Sequence, residues 1–346
     1  MNLNILKPVS DSRWDELIAR HPQASVFHQR GWLQALVRTY GYEPFVLTSA
    51  AAGEPLKDGL LLCRVSSLMT GTRLVSLPFS DHCEPLLNGS NETPAFANWL
   101  RKQCREKHFS YVEIRPFGLG QWTVSCLQPN RSYWFHDLDL SPSLEQLFNR
   151  MHHNSFRRKI RRAEKERLSC EAGRSMQLLD EFYRLLLMTR RRHQLLPQPR
   201  AWFENLVVYM GDKLQISLAR KNGTAVAAMI TLQYGSCVVY KYGCSDARFH
   251  NLGGMPFLFW KLVEKSKLSG AERIDLGRSD LDNEGLVVFK DRLGTQKKLL
   301  TYYRYTNPET TITLGPVICH RIAELCSVLP DSVLPAAGRL LYRHMG

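Results

Sequence analysis

The stretch Ile274–Gly294, IDLGRSDLDNEGLVVFKDRLG, decides how this chain is read. It completes a strand, RIDLG, and turns polar at Arg278. Loops that leave strand ends are where an α/β scaffold places its chemistry, so the residues from Arg278 onward are the first candidate for an active site. Ahead of this stretch, apolar spacing predicts a helix over Pro256–Leu268 and strands around Ile216, Ala227–Leu232 and Val238–Tyr242. Further back it predicts helices around Leu178–Arg192 and Trp202–Met210.

The first half repeats this order. Two helices over Asp11–Arg20 and His28–Tyr40 lead into short apolar strands near Phe45, Leu61 and Val75, then a helix from Thr93 to Lys107 and the strand YVEIRP around Val112. Trp99 lies fourteen residues before Glu113, and Trp260 lies fifteen before Asp275. The repeat implies two related α/β lobes, residues 1–150 and 151–310, followed by a helical tail over 311–346. Between the lobes a basic helix is expected over 153–168, capped by Asn154 or Ser155, after another helix capped by Ser141 or Ser143. Its Phe156, Ile160 and Ala163 fall on a packing face and its Arg158, Arg162 and Lys165 on a charged one.

The 346 residues carry 46 Lys and Arg against 32 Asp and Glu, a net charge of +14 that favours an anionic partner. Nine cysteines without a C-x-x-C pair indicate reduced thiols, and no metal site is expected. The N-terminal residues lack a basic segment followed by an apolar core, and no run is long enough to span a bilayer, so a cytoplasmic protein is expected. No G-x-S-x-G, P-loop or H-E-x-x-H pattern is present, which sets aside serine hydrolase, kinase and zinc-protease chemistry.

The runs NSFRRKIRRAEKERL, YRLLLMTRRRHQLLPQP and YKYGCSDARF, together with IDLGRSDLDNEGLVVFKDRLG, resemble the GNAT-related proteins that include the Fem aminoacyltransferases and the CelD-like exopolysaccharide proteins. The resemblance extends over roughly residues 27–305. It implies tandem GNAT-like lobes, each a mixed, mostly antiparallel sheet flanked by helices. A helix N-terminus after the central strand would face phosphate, because its unpaired N–H groups and partial positive charge stabilise an anion. The place for this is ARFHNLGGMPF, with His250, Gly253, Gly254 and Met255 as the donor-binding residues. The family uses a Lys in a Phe-Lys pair, which corresponds here to Phe289 and Lys290.

Acyl transfer to an amine needs a proton acceptor and a group that stabilises charge on the reacting oxygen. Asp280 or Asp282 suits the first task, and Lys290 or Arg278 the second. Lys241 and Tyr242, on the strand before the glycine turn, and Arg157, Arg158 and Arg161 on the basic helix, are candidates for substrate contact.

The expected function is an acyltransferase that moves an acetyl or aminoacyl group to an amino group on a phosphate-bearing cell-envelope or exopolysaccharide precursor. Acetyl-CoA or another acyl-CoA is one donor, and aminoacyl-tRNA is the other. A non-catalytic partner in polysaccharide assembly and an RNA-binding module are the alternatives. The basic helix and the apolar tail residues from Val317 to Tyr342 are also candidates for peripheral contact with the inner membrane.

Overall fold

The computed structural model describes residues 2–67, 71–89, 92–117, 126–308 and 333–346. They form two compact units. One holds the described residues within Met1–Ser132, Leu300–Ile322 and Arg339–Gly346, and the other holds those within Tyr133–Leu299 and Ala323–Gly338. Much of the expected tail, including Val317, Ile318, Ile322, Leu325 and Val328, lies outside the described residues. Its end forms a helix over Leu334–Leu341. No helix among the described residues is long and apolar enough to cross a membrane.

In the first unit, β1 (Asn4–Leu6), β2 (Glu43–Thr48), β3 (Leu60–Ser67) and β4 (Gly71–Val75) form an antiparallel meander. Next comes β5 (Tyr111–Ile114), parallel to β4 through Leu74 opposite Val112 and Val75 opposite Glu113. A parallel pair needs a crossover, and α3 (Thr93–Glu106) provides it. Phe96, Leu100 and Cys104 of α3 recur every four residues, so they line one helix face and pack on Leu62, Leu74, Val112 and Ile114 of the sheet. Trp14, Leu17 and Ile18 of α1 (Ser12–Arg20) and Trp32, Leu33 and Leu36 of α2 (Arg30–Tyr40) are buried as their spacing requires.

The second unit has the same plan. Its strands run in the order β6 (Gln128–Asp139), β11 (Arg273–Asp280), β10 (Cys237–Ser245), β9 (Thr224–Tyr234), β8 (Leu214–Lys221), β7 (Ser169–Gly173). Only β10 and β11 are parallel, with α8 (Gly254–Leu268) as the crossover. Their last paired residues are Val239 and Asp275, so Asp275 occupies the register position that Glu113 holds in the first unit. Each unit is therefore a mixed, mostly antiparallel sheet flanked by helices, and the acids matched by sequence spacing sit at matching places.

The units divide at Tyr133, ahead of the boundary expected after residue 150, because β6 pairs with β11 from Tyr133 to Asp139. Likewise the end of β12 (Gln296–Thr306) pairs with β5 and belongs to the first unit. Strand pairing overrides sequence proximity here.

The linker segment also differs in its caps. Ser143 caps α4 (Leu144–Arg150), its hydroxyl accepting from the Gln146 N–H at 3.2 Å, whereas the Ser141 hydroxyl donates to Asp139 at 2.7 Å. The basic helix opens as a π-helical turn, His153–Arg157, and continues as α5 (Arg158–Lys165). His152 caps it, with Nδ1 accepting from the Ser155 N–H at 3.2 Å, rather than Asn154 or Ser155. Phe156, Ile160 and Ala163 are buried as expected.

His28 is fully buried in the first unit. Its Nδ1 accepts from the Ser25 N–H at 3.0 Å and its Nε2–H donates to the Glu84 carbonyl at 2.9 Å, which fixes a neutral ring. Burial is the main cause that pushes its pKa down to about 4. Between that value and the ordinary 6.5 the unfolded chain binds a proton that the folded chain refuses. The stability contribution is complete above pH 6.5 and is lost as pH falls toward 4, a change of about 3 kcal/mol. Urea unfolding of the first unit between pH 7 and pH 4 should show this loss. His28→Asn should be less stable at pH 7 but flatter across the same range.

Candidate functional site

After Val239 and Asp275 the two parallel strands part. Both are irregular at that level: β10 shifts register against β9 between Tyr240 and Tyr242, and β11 shifts against β6 between Asp275 and Arg278. The Tyr240 ring folds over Gly243, where a Cβ would stand 1.9 Å from the tyrosine oxygen, so a larger residue there would displace the ring. A cleft of about 610 Å³ lies past the end of β10, bounded by the first turns of α8 and α5, by β9, and by α9 (Glu284–Asp291).

The N-terminus of α8 opens into this cleft. Gly253 has a left-handed φ of +77°, and a Cβ there would sit 2.5 Å from the Lys159 carbonyl oxygen. That contact holds α5 against α8 and brings Lys159 to the rim beside Gly254 and Met255. On the sheet side, Ala227 and Ala219 are small enough for the helix start to lie close. The first-turn N–H groups of Gly254 and Met255 have no partner within the helix, so partial positive charge is directed at the cleft.

His250 lines the same wall and is 2.9 Å from the Ser245 hydroxyl. Ser245 is anchored from α6 (Met176–Arg192): its N–H donates to the Thr189 hydroxyl at 3.0 Å, and its carbonyl accepts from Arg192 at 3.2 Å. Desolvation, then the charges of Arg192 and Lys159, lower the His250 pKa. The ring is therefore neutral at pH 7. The TRRRH run at the end of α6 thus supports the cleft wall through Thr189 and Arg192.

On α9, Gly285, Val288, Phe289 and Arg292 recur at helical spacing and form the face that lines the cleft, with Glu284 at its start. Lys290 falls on the opposite face. It is 3% exposed, and its ammonium donates to the carbonyls of Gly277 and Arg278 at 3.0 Å each, tying α9 to the β11 bulge. Below it His136 is buried, 3.2 Å from Asp291, and its pKa is lowered by burial and by the Lys290 charge.

Of the residues expected from sequence, His250, Gly254, Met255 and Phe289 line the cleft, and Gly253 shapes it. The others lie elsewhere. Asp280 and Asp282 are exposed in the turn before α9. Arg278 stacks on Tyr133, 4.1 Å from the ring centroid. Lys241 is half-buried on β10, and Tyr242 accepts from Trp202 Nε1 at 2.8 Å among α7 (Arg200–Met210) side chains. Arg157 bonds Asn149, Arg161 lies over Phe148, and Arg158 is exposed.

Lys159, Ser245, Glu284 and Arg292 line the cleft but were not singled out by the sequence reading. Two of them had a signal: Lys159 follows Phe156 by three residues, and Arg292 follows Phe289 by three, the spacing of helix neighbours.

Substitution of Gly253 measures the contact between α5 and α8. Gly253→Ala should cost about 2 kcal/mol or more, from the left-handed backbone plus the clash with Lys159. Gly270→Ala has a similar φ, +76°, with nothing within 4 Å, and should cost only the backbone share, about 1 kcal/mol. Chemical denaturation of the two variants checks the difference.

Residues 150–285 match the family described as Acetyltransferase (GNAT) domain. The solved structure of FemX is 14% identical, with a TM-score of 0.67, and covers 93% of this chain and 100% of its own. The C-terminal domain of a protein described as a lysylphosphatidylglycerol synthetase from Agrobacterium fabrum is 13% identical, with a TM-score of 0.57 over 94% of this chain and 96% of that one. A tandem GNAT protein from the clavulanic acid biosynthesis pathway is 12% identical, with a TM-score of 0.55 over 89% of this chain and 100% of that one. No curated protein matches the sequence. The fold is like that of a tandem GNAT protein, and residues 150–285 are similar to a GNAT acetyltransferase domain.

Proposed function

We propose that this chain transfers an acyl or aminoacyl group to an amino group on a phosphate-bearing cell-envelope precursor, such as an exopolysaccharide or lipid-linked glycan intermediate. It would act in the cytoplasm or at the inner face of the membrane. The observation that carries this reading is the convergence in one cleft of the α8 N-terminus, Lys159, Arg292 and the neutral His250. Two cations and a ring of first-turn N–H groups suit a phosphate or pyrophosphate, so the residues present fit a phosphate-bearing donor. The likeness to a lysylphosphatidylglycerol synthetase supports an envelope acceptor, and the match to a GNAT domain supports acyl-coenzyme A. The exposed cations Arg158, Arg161, Arg162 and Lys165 of α5 suit a longer polyanion and favour aminoacyl-tRNA as the second donor.

Either donor supplies an activated carbonyl. Lys159, Arg292 and the α8 amides hold its phosphate. In the tautomer where His250 Nε2–H donates to Ser245, Nδ1 is left to accept the proton of an attacking amine, and it returns that proton to the departing thiol or ribose oxygen. His250 takes this role in place of Asp280 or Asp282, which stand exposed outside the cleft. Lys290 acts as a positioning residue, fixing α9 so that Phe289 and Arg292 face the donor, and adds positive charge beneath it.

Calorimetry with acetyl-CoA and with charged tRNA tests the reading, followed by transfer of labelled acyl group to an amine-bearing, phosphorylated glycan precursor. Failure of both donors to bind at millimolar concentration would refute it. Lys159→Ala with Arg292→Ala should weaken donor binding about tenfold, the size of two charge-assisted contacts. Lys290→Met should lower kcat far more than donor affinity.

The pH profile gives a separate check. Because burial and neighbouring cations lower the His250 pKa, the acid limb of kcat/KM should fall below pH 6.5. His250→Gln should remove that limb.

A further inference from the structure

The first unit contains a second hollow, about 540 Å³, which shares no lining residue with the cleft described above. Its walls are apolar: Phe45 of β2, Leu74 of β4, Trp99 of α3 and Phe109, with Ile5 and Val37 at the mouth. The Phe45 and Trp99 rings face one another at 6.4 Å. Ile5 and Val37 are 57% and 37% exposed, so the mouth presents hydrocarbon to water.

The fold does not demand this lining. Along one register row of the first unit, Glu43 faces Arg64, Arg64 faces Leu74 and Leu74 faces Val112. The matching row of the second unit runs Gln233, Val238, Ile274. There the corresponding hollow is about 300 Å³ and is lined by Gln215, Thr231, Gln233 and Lys265. Leu214, Val238 and Leu262 line it as well, so the hollow of the second unit is mixed where that of the first is mainly apolar.

The polar residues of the first hollow narrow its ligand. Lys7 and Lys107 line it, are exposed, and make no ion pair among the described residues. Arg64 is paired with Glu43, the one acid among the lining residues. We propose that this groove binds a long-chain carboxylate, with the hydrocarbon chain against Phe45, Leu74 and Trp99 and the head group at Lys7 and Lys107. Burial of the chain's methylenes drives binding, and the two lysines select the anion. The site is independent of the acyl-transfer reading, since none of its residues belongs to the cleft of the second unit.

The test uses the full chain and the fluorescent carboxylate cis-parinarate. Saturable binding of one molecule per chain is expected, with displacement by dodecanoate at a lower concentration than by dodecanol. Lys7→Glu combined with Lys107→Glu should raise the Kd for dodecanoate about tenfold, as expected for two exposed ion pairs, and leave dodecanol unchanged. Val37→Glu, at an exposed position that does not threaten folding, should abolish binding of both. Dibromostearate should quench wild-type tryptophan fluorescence, and Trp99→Phe should lose most of that quench while still binding cis-parinarate. Absence of saturable binding, equal affinity for acid and alcohol, or full binding by Val37→Glu would overturn the proposal. Sedimentation with phosphatidylglycerol vesicles that Val37→Glu abolishes, without binding of the soluble carboxylate, would also overturn it and assign the face to a membrane surface.

Discussion

Val239 and Asp275 are the last residues through which β10 and β11 run side by side, and everything that makes the second unit's cleft follows from their separation. Two parallel strands that part leave backbone groups and an opening that a continuous ladder would have closed. The register shifts at Tyr240 and beyond Asp275 take up the mismatch, and Gly243 lets the Tyr240 ring fold back over the bulged strand. Because the crossover helix begins where β10 ends, its N-terminus and the opening are brought together by the chain path itself. The partial positive charge of the first-turn amides is thereby directed into the opening.

Charge in the unit is divided between two helix faces with different tasks. Arg292 faces the cleft from α9, while Lys290, two positions earlier, turns into the interior and is satisfied by two carbonyls of the β11 bulge. A buried ammonium is tolerated only with such partners, and once bonded it fixes helix to strand. The same holds on α5, where Lys159 is held at the rim by the close approach of its carbonyl to Gly253 while its arginine neighbours stay on the solvent side or bond locally. Of a dense basic run, one cation, Lys159, therefore lines the cleft.

Periodicity made most elements legible. Phe96, Leu100 and Cys104 place α3 on its sheet, and Phe156, Ile160 and Ala163 place α5, because an apolar stripe at helical spacing has only one way to leave water. The matched Glu113 and Asp275 showed the internal repeat. The segment after Asp280 is different, because its Phe289 and Lys290 come from the family resemblance and not from helical spacing. Taken as a helix from Glu284, that segment puts Gly285, Val288, Phe289 and Arg292 on one face, which selects Arg292 for the cleft and sends Lys290 inward.

By itself the sequence determined the kind of fold, the repeated order of helix and strand, the packing faces of the helices and the glycine turn before α8, since each depends on local spacing and backbone freedom. Tertiary structure alone decided which strands pair and which charges meet. The transfer of β6 and of the end of β12 to the units in which they pair depends on hydrogen-bond partners far away in the chain. The meeting of Lys159, His250 and Arg292 likewise requires three segments separated by many residues, and no local pattern records that three faces will turn toward the same opening.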